Sequence, residues 1–356
     1  MCCSVHIRSV EQLTVHSCVA GCSSAMPYAA GLAPVDRRLQ ALAGTQGGTF
    51  SAAEALAVGL TSAELHRAVG SRELVPVRRR AYVTAVVWAA AAAEERYRLA
   101  CCAIARTRPD DALSHHAALA LLGLPLWGHD PTRVDLVTAV RQGVRRGSTW
   151  LHPDEQVDTI VVDGLRVVSP ARAIVRTALT MGRDCAVVAG DAALHRRLVT
   201  LEELLAEVAR VTPHQGRTRA LEAVLAMDRK AESVGESRTR LIFVDLGLAH
   251  ESQVVITGQA GAFVARVDFL VEGVVVEFDG RTKYGRARDE DDGTVADPGQ
   301  VVWLEKRRED AIRREGHPVE RIVWDELARP GLIGARIRRA RVQVKRPQAD
   351  DERPSA

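Results

Sequence analysis

Residues 266–280 read Arg-Val-Asp-Phe-Leu-Val-Glu-Gly-Val-Val-Val-Glu-Phe-Asp-Gly, two apolar runs on either side of Glu272-Gly273. With that dipeptide as a two-residue hairpin turn, Val271 pairs with Val274, Leu270 with Val275 and Phe269 with Val276, and Asp268 falls opposite Glu277. Like charges in that register repel. Burial among apolar neighbours adds a desolvation cost that protonation, a basic partner or a divalent cation has to offset. The same register sets Arg266 against Asp279, which gives Asp279 a salt-bridge partner and leaves Asp268 and Glu277 without one in the hairpin. Those two carboxylates are therefore the candidate metal ligands. The competing reading is a hairpin whose acids pair with Arg240, Arg266 or Arg281.

A chain of 356 residues, 47% of them apolar, suits two or three domains with real cores. The formal charge is only +3, and four lysines (Lys230, Lys283, Lys306 and Lys345) leave 44 of the 48 cationic side chains as arginine. Where that charge sits matters more than its sum. No apolar run reaches the roughly 18 residues of a membrane span, so a cytoplasmic chain without a membrane partner is expected. The seven cysteines are irregularly spaced and do not form a disulfide framework. His6, His16, Cys18 and Cys22 imitate a zinc cluster but lack a second well-spaced pair. Residues 1–34 have neither sustained periodicity nor the pattern of a signal peptide. They read as a poorly ordered extension, with Met26 as an alternative start.

From Asp36 the periodicity sharpens. Residues 37–43 form a short helix broken by Gly47-Gly48, Ser51 caps a second helix through Leu56, and Thr61 or Ser62 caps a third over 63–69. Residues 74–83 then read as a two-stranded wing, which completes a winged helix-turn-helix over 35–85. In such a fold the third helix enters the major groove, where His66 and Arg67 reach base edges, while Arg78, Arg79 and Arg80 on the wing meet phosphates. The partner expected from this module is DNA.

Residues 96–225 alternate helix and strand. Helices are expected over 97–107, 114–122, 171–179, 186–194 and 201–209, and strands over 133–138 and 159–168 with a turn at Gly164. No catalytic constellation stands out. His115-His116 is the tempting pair, but adjacent histidines leave a helix on different sides and have no acidic neighbour in sequence, which points to a structural role. Asp191, inside an alanine-rich helix, reads as a packing or local hydrogen-bonding residue.

In the last third a helix begins at Glu236, a strand covers 253–256, and the acidic hairpin follows. Val301-Val-Trp-Leu304 and a helix over 305–315 precede a final strand over 319–324. Alternation along 274–279 sends Val275, Glu277 and Asp279 to one face and Val274, Val276 and Phe278 to the core. Asp279-Gly280 ends the strand and brings Lys283 and Tyr284 back towards its end. Asp289-Glu-Asp-Asp292 reads as a solvated acidic loop, and residues 347–356 as a disordered tail.

The helix residue Glu236, the strand residue Asp268 and the Glu277-Phe-Asp279-Gly280 element resemble the core of PD-(D/E)XK nucleases, in the branch of the very-short-patch-repair endonucleases, over about residues 230–328. Asp279 stands where that pattern usually carries lysine, and Lys283 takes roughly a later basic position. Gly48-Thr-Phe-Ser51 and Val77-Arg-Arg-Arg-Ala-Tyr-Val83 resemble the winged helix of AbiEi-type antitoxins. Ser114-His-His-Ala-Ala-Leu119 and Val162-Asp-Gly-Leu165 are similar to the segment that follows it there, although Arg176 replaces an acidic residue usual in that segment.

The resemblances imply an α/β multidomain chain. Its parts are an extension (1–34), a winged helix-turn-helix (35–85), a mixed α/β middle domain (96–225), a restriction-endonuclease-like α/β domain (230–328) and a tail (342–356). They also imply Mg2+ or Mn2+ held by Asp268 and Glu277, with Glu236 completing or supporting the shell and Lys283 orienting the nucleophile or neutralising the scissile phosphate. The implied role is DNA binding with metal-dependent phosphodiester cleavage in a toxin–antitoxin or phage-defence setting, with a cognate toxin or other protein as a further partner. The rival is a non-enzymatic regulator in which the nuclease fold survives as scaffold.

Overall fold

The computed structural model describes residues 36–153, 158–258, 261–280 and 298–344. The extension with His6, His16, Cys18, Cys22 and Met26 lies outside these residues. So do Arg281, Lys283, Tyr284 and the acidic run at 289–292, and the tail from 345 onwards.

Helix α1 (Arg37–Thr45) starts where the Asp36 carboxylate accepts from the Arg38 N–H, and it closes when the Gly48 N–H reaches the Ala43 carbonyl at 2.8 Å. Strand β1 (Thr49–Ser51) leads straight into α2 (Ala52–Ala57), with Ser51 and Glu54 forming a reciprocal capping box. Thr61 and Glu64 do the same for α3 (Ser62–Gly70), so Thr61 rather than Ser62 is the cap. Strands β2 (Leu74–Arg78) and β3 (Ala81–Thr84) form a hairpin turning at Arg79-Arg80, and β1 adds to the other side of β3 in the order β1-β3-β2. Phe50, Leu65, Leu74, Ala81 and Val83 are buried in this layer.

Two helices, α4 (Ala85–Ala90) and α5 (Ala93–Arg106), lead into β4 (Ala112–Leu113), α6 (His115–Leu121), β5 (Val134–Thr138), β6 (Val144–Arg146), β7 (Thr149–Pro153), β8 (Thr159–Val162) and β9 (Leu165–Val168). The strands make a mixed six-stranded sheet ordered β6-β7-β5-β4-β9-β8, with β5/β7 and β4/β9 parallel. The β8–β9 turn falls at Asp163-Gly164 as expected, both residues having positive φ, which suits a two-residue hairpin. Helices α7 (Pro170–Met181), α8 (Arg183–His195), α9 (Leu201–Arg210) and α10 (Arg217–Leu225) follow. Ala81 and Val83 share one buried cluster with Tyr97, Leu113, Leu136, Ile174 and Leu204, so the N-terminal sheet and the middle segment have a continuous core. Cys101, Cys102 and Cys185 are buried free thiols within the fold.

The remaining elements are α11 (Val234–Asp245), β10 (His250–Thr257), β11 (Phe263–Val271), β12 (Val274–Asp279), α12 (Pro298–Arg314), β13 (Val319–Val323) and α13 (Pro330–Arg341). The sheet order is β10-β11-β12-β13. The first three strands are antiparallel and β13 runs parallel to β12, which makes α12 the crossover helix. Glu272 and Gly273, both at positive φ, form the expected turn, and the register Val271↔Val274, Leu270↔Val275, Phe269↔Val276 holds.

Beyond Phe269 the expected hairpin changes. The ladder stops, and the Phe278 N–H donates to the Asp268 carboxylate at 2.9 Å. Arg266 sits opposite Val255 and bonds Glu232 rather than Asp279, whose ladder partner is Val323. The face bearing Val275 is also covered, because Val275 packs with Ile312 of α12 while Val274 and Val276 pack with Phe243, Ile333 and Ile337 on the other side. A parallel crossover necessarily lays a helix over one face. Residues 301–304 belong to α12. Among the described residues no helix is long and apolar enough to cross a membrane.

The middle and C-terminal parts are joined by a buried ion pair, with Arg240 donating to Asp191 at 2.8 Å and to the Ala226 carbonyl at 2.6 Å, while Asp191 also accepts from the Asp228 N–H. Asp191 is thus the packing residue its surroundings suggested, and Arg240 is committed to it rather than to the hairpin acids.

Candidate functional site

Three acidic residues, from α11, β11 and β12, share one electrostatic environment. Glu236 lies in the first turn of α11 and is buried; its carboxylate accepts from Ser233 Oγ at 2.8 Å, the Glu232 N–H at 3.1 Å and Gln253 Nε2 at 2.8 Å. Its neighbour Gly235 packs so closely on the Phe278 ring of β12 that a Cβ would overlap it, so only glycine lets the start of α11 approach the strand. Asp268 on β11 is half-buried and accepts one hydrogen bond, from the Phe278 N–H. Burial, and then the fields of Glu236 and Glu277, push its carboxyl up to about 6. Glu277 on β12 is not left bare: Arg308 of α12 donates to it at 2.5 Å and Arg321 of β13 lies 3.9 Å away. The basic partner that the hairpin lacks therefore comes from the crossover helix, and no residue of the hairpin supplies it. All donors in this set are carboxylate oxygens, the type that suits Mg2+ or Mn2+.

The residues expected to meet DNA occupy two exposed places. His66 and Arg67 are exposed on α3, and Arg79 and Arg80 are exposed at the β2–β3 turn. Arg78 differs: it is half-buried and donates to the Arg146 carbonyl at 2.9 Å. Burial and the nearby Arg108 and Arg146 push its guanidinium below its ordinary value, a sign of concentrated positive charge.

A second cluster lies in the middle sheet, where the sequence showed none. Asp135 of β5 is completely buried, held by Arg133 through Nε and a terminal nitrogen at 2.6–3.0 Å and by His152 Nε2 at 2.6 Å, with His116 Nδ1 at 3.5 Å. Burial acts to raise its pKa, but the hydrogen bonds from His152 and Arg133 hold it well below the usual carboxylate range. The His115 and His152 rings stack with centroids 4.2 Å apart. Burial keeps the His115 imidazole well below its ordinary pKa, hence neutral. One ligand atom from each of His115, Asp135 and His152 lies within 4.8 Å of the others, the one such cluster of His, Cys, Asp or Glu among the described residues. The expectation that the histidine pair lacks an acidic neighbour is thereby corrected, because the acidic neighbour, Asp135, stands 20 positions after His115 on a strand that folds beside it. No sequence spacing announces this set.

Beside the cluster is a pocket of about 220 Å3 lined by Ser114, His115, Val137, His152, Arg172 and Arg176, among others. Arg172 is buried, with Glu207 at 3.5 Å, and Arg176 is half-buried.

No family model matches the chain. Two curated proteins of Mycobacterium tuberculosis, Uncharacterized protein MT2308 and Uncharacterized protein Rv2248, are each 30% identical to it over 229 residues, spanning 62% of this chain and 80% of theirs.

Proposed function

From a chain that belongs to the family of the mycobacterial proteins MT2308 and Rv2248, we infer a DNA-binding protein whose C-terminal layer is a divalent-metal centre for phosphodiester cleavage. The observation that carries this reading is the order helix–strand–strand–strand–helix–strand with Glu236 on its first helix and Asp268 and Glu277 on its two central strands. That order and those residues are the ones the PD-(D/E)XK resemblance calls for. The oxygen-only donor set fits Mg2+ or Mn2+, which when bound lowers the pKa of water and neutralises charge on a phosphate. Asp268 and Glu277 would hold the ion. Glu236, with both carboxylate oxygens already hydrogen-bonded, ties the start of α11 to Gln253 of β10. The N-terminal layer, read as a winged helix, would place His66 and Arg67 towards a groove and Arg79 and Arg80 towards phosphates.

A second reading has its own support. Arg308 already neutralises Glu277, as expected of a non-enzymatic DNA-binding regulator that keeps the fold as scaffold. Purified protein incubated with plasmid or single-stranded DNA and Mg2+ or Mn2+ separates the two. Cleavage abolished in Asp268→Ala and Glu277→Ala supports the nuclease. Salt-sensitive DNA binding without cleavage by the parent defeats it and favours the regulator.

A further inference from the structure

We propose that His115, Asp135 and His152 bind a divalent transition metal, Zn2+ or an ion of similar softness, with its open side towards the pocket lined by Arg172 and Arg176. This site is separate from the carboxylate cluster and does not depend on the function inferred for it.

The backbone brings the three residues together without long side-chain excursions. Strands β5 and β7 are parallel with Val137 opposite His152, so His152 is a diagonal neighbour of Asp135 on one face of the sheet. The Ser114 N–H donates to the Asp135 carbonyl at 2.9 Å, which fixes the start of α6 beside the same strand. His115 itself has φ of 51°, a conformation that L residues seldom adopt, in a buried position where the surroundings must enforce it. Such enforcement is a recurrent property of functional positions.

The groups around the ligands are those a metal site needs. Ser114 Oγ lies 3.0 Å from His115 Nδ1, which leaves Nε2 as the nitrogen available to an ion. Arg133 grips Asp135 and is itself stacked on Trp150 at 3.9 Å, so the carboxylate has a fixed orientation. His152 Nε2 and Asp135 Oδ1 lie 2.6 Å apart, so a cation between them would take the place of the hydrogen bond that joins them. Ligand atoms on one ion with bonds of about 2.0–2.2 Å stand roughly 3.3 Å apart, so the shift required is small. Two imidazoles and one carboxylate favour Zn2+, Co2+ or Ni2+ over Mg2+ or Ca2+. Three protein ligands leave a coordination position open, and the two arginines lining the pocket select an anion such as phosphate to fill it.

The test uses the full chain, stripped with chelator and titrated with Co2+ while visible absorption is followed. One equivalent is expected to give ligand-field bands that Zn2+ abolishes and that inorganic phosphate shifts. In His152→Ala, a position whose side chain is 24% exposed, the affinity is expected to fall by more than about 100-fold while the circular dichroism of the folded chain is kept. Asp135→Asn is the second variant. No Co2+ spectrum in the parent, equal affinity in folded His152→Ala, or thiolate charge-transfer bands that trace the ion to cysteines would each overturn the assignment.

Discussion

Asp268→Asn is expected to stabilise the protein at neutral pH. Burial, and after it the carboxylates of Glu236 and Glu277, push the Asp268 carboxyl from an ordinary 3.8 up to about 6. The folded chain therefore holds this proton more tightly than the unfolded chain does. The resulting stabilisation is fully present below 3.8 and is lost as pH rises through about 6. At roughly 1.36 kcal/mol per pH unit the gap corresponds to about 3 kcal/mol. Solvent screening of a half-buried group trims that to about 2 kcal/mol. Asparagine keeps an acceptor for the Phe278 N–H and removes the charge. Urea unfolding of parent and variant in chelator, from about pH 4 to about pH 8, measures the difference and cancels every other titrating group. The variant should lead by about 2 kcal/mol at the alkaline end and converge with the parent at the acidic end. A variant less stable near pH 8, or a gap that does not narrow on acidification, refutes the electrostatic account. Added Mg2+ should stabilise the parent and leave the variant unmoved.

Arg308→Met removes the cation paired with Glu277, so the metal-free protein should melt earlier and its Mg2+ affinity, followed by the Mg2+-dependent rise in melting temperature, should increase about tenfold. Arg79→Ala and Arg80→Ala should weaken binding to unrelated DNA duplexes alike and lower the salt dependence by about one unit for each lost phosphate contact, read by fluorescence anisotropy. Arg78→Ala should act mainly on stability, since Arg78 bonds the Arg146 carbonyl. Asp191→Ala leaves Arg240 buried without its carboxylate and should cost about 3–5 kcal/mol in denaturant unfolding.

What could be read from the sequence was what is local. The helices of the N-terminal layer were legible because Ser51, Thr61 and their partners Glu54 and Glu64 are capping pairs three residues apart, and the acidic hairpin was legible because Glu272-Gly273 fixes its turn. Strands β6 and β7 were not, since Val144-Arg-Arg146 is wholly exposed and has no apolar run, and β4 is only two residues long. The partners of the acids were hidden for a different reason. Arg308 is 31 residues from Glu277, and only the parallel crossover lays it over β12. The register extrapolated past Phe269 also failed, because the Asp268 side chain takes the backbone donor of Phe278 and ends the ladder there. The His115–Asp135–His152 set is the extreme case: His115 drew notice only beside His116, Asp135 and His152 drew none, and the placement of α6 beside β5 and β7 makes the cluster.

The two candidate metal sites attract cations by different physics. Asp135 is already paired with Arg133, so the triad has little net negative charge and depends on its two imidazole nitrogens for affinity. Glu236, Asp268 and Glu277 offer no nitrogen, and three carboxylates against Arg308 depend on charge. Nitrogen coordination is short-ranged and hardly screened, whereas attraction by the charge of a partly buried carboxylate cluster falls with ionic strength. Raising salt from about 0.05 M to about 0.5 M should therefore weaken the Mg2+-dependent stabilisation severalfold and leave Co2+ absorption nearly unchanged. Equal losses at both would mean that the triad also binds by charge alone, and its imidazoles would then be structural.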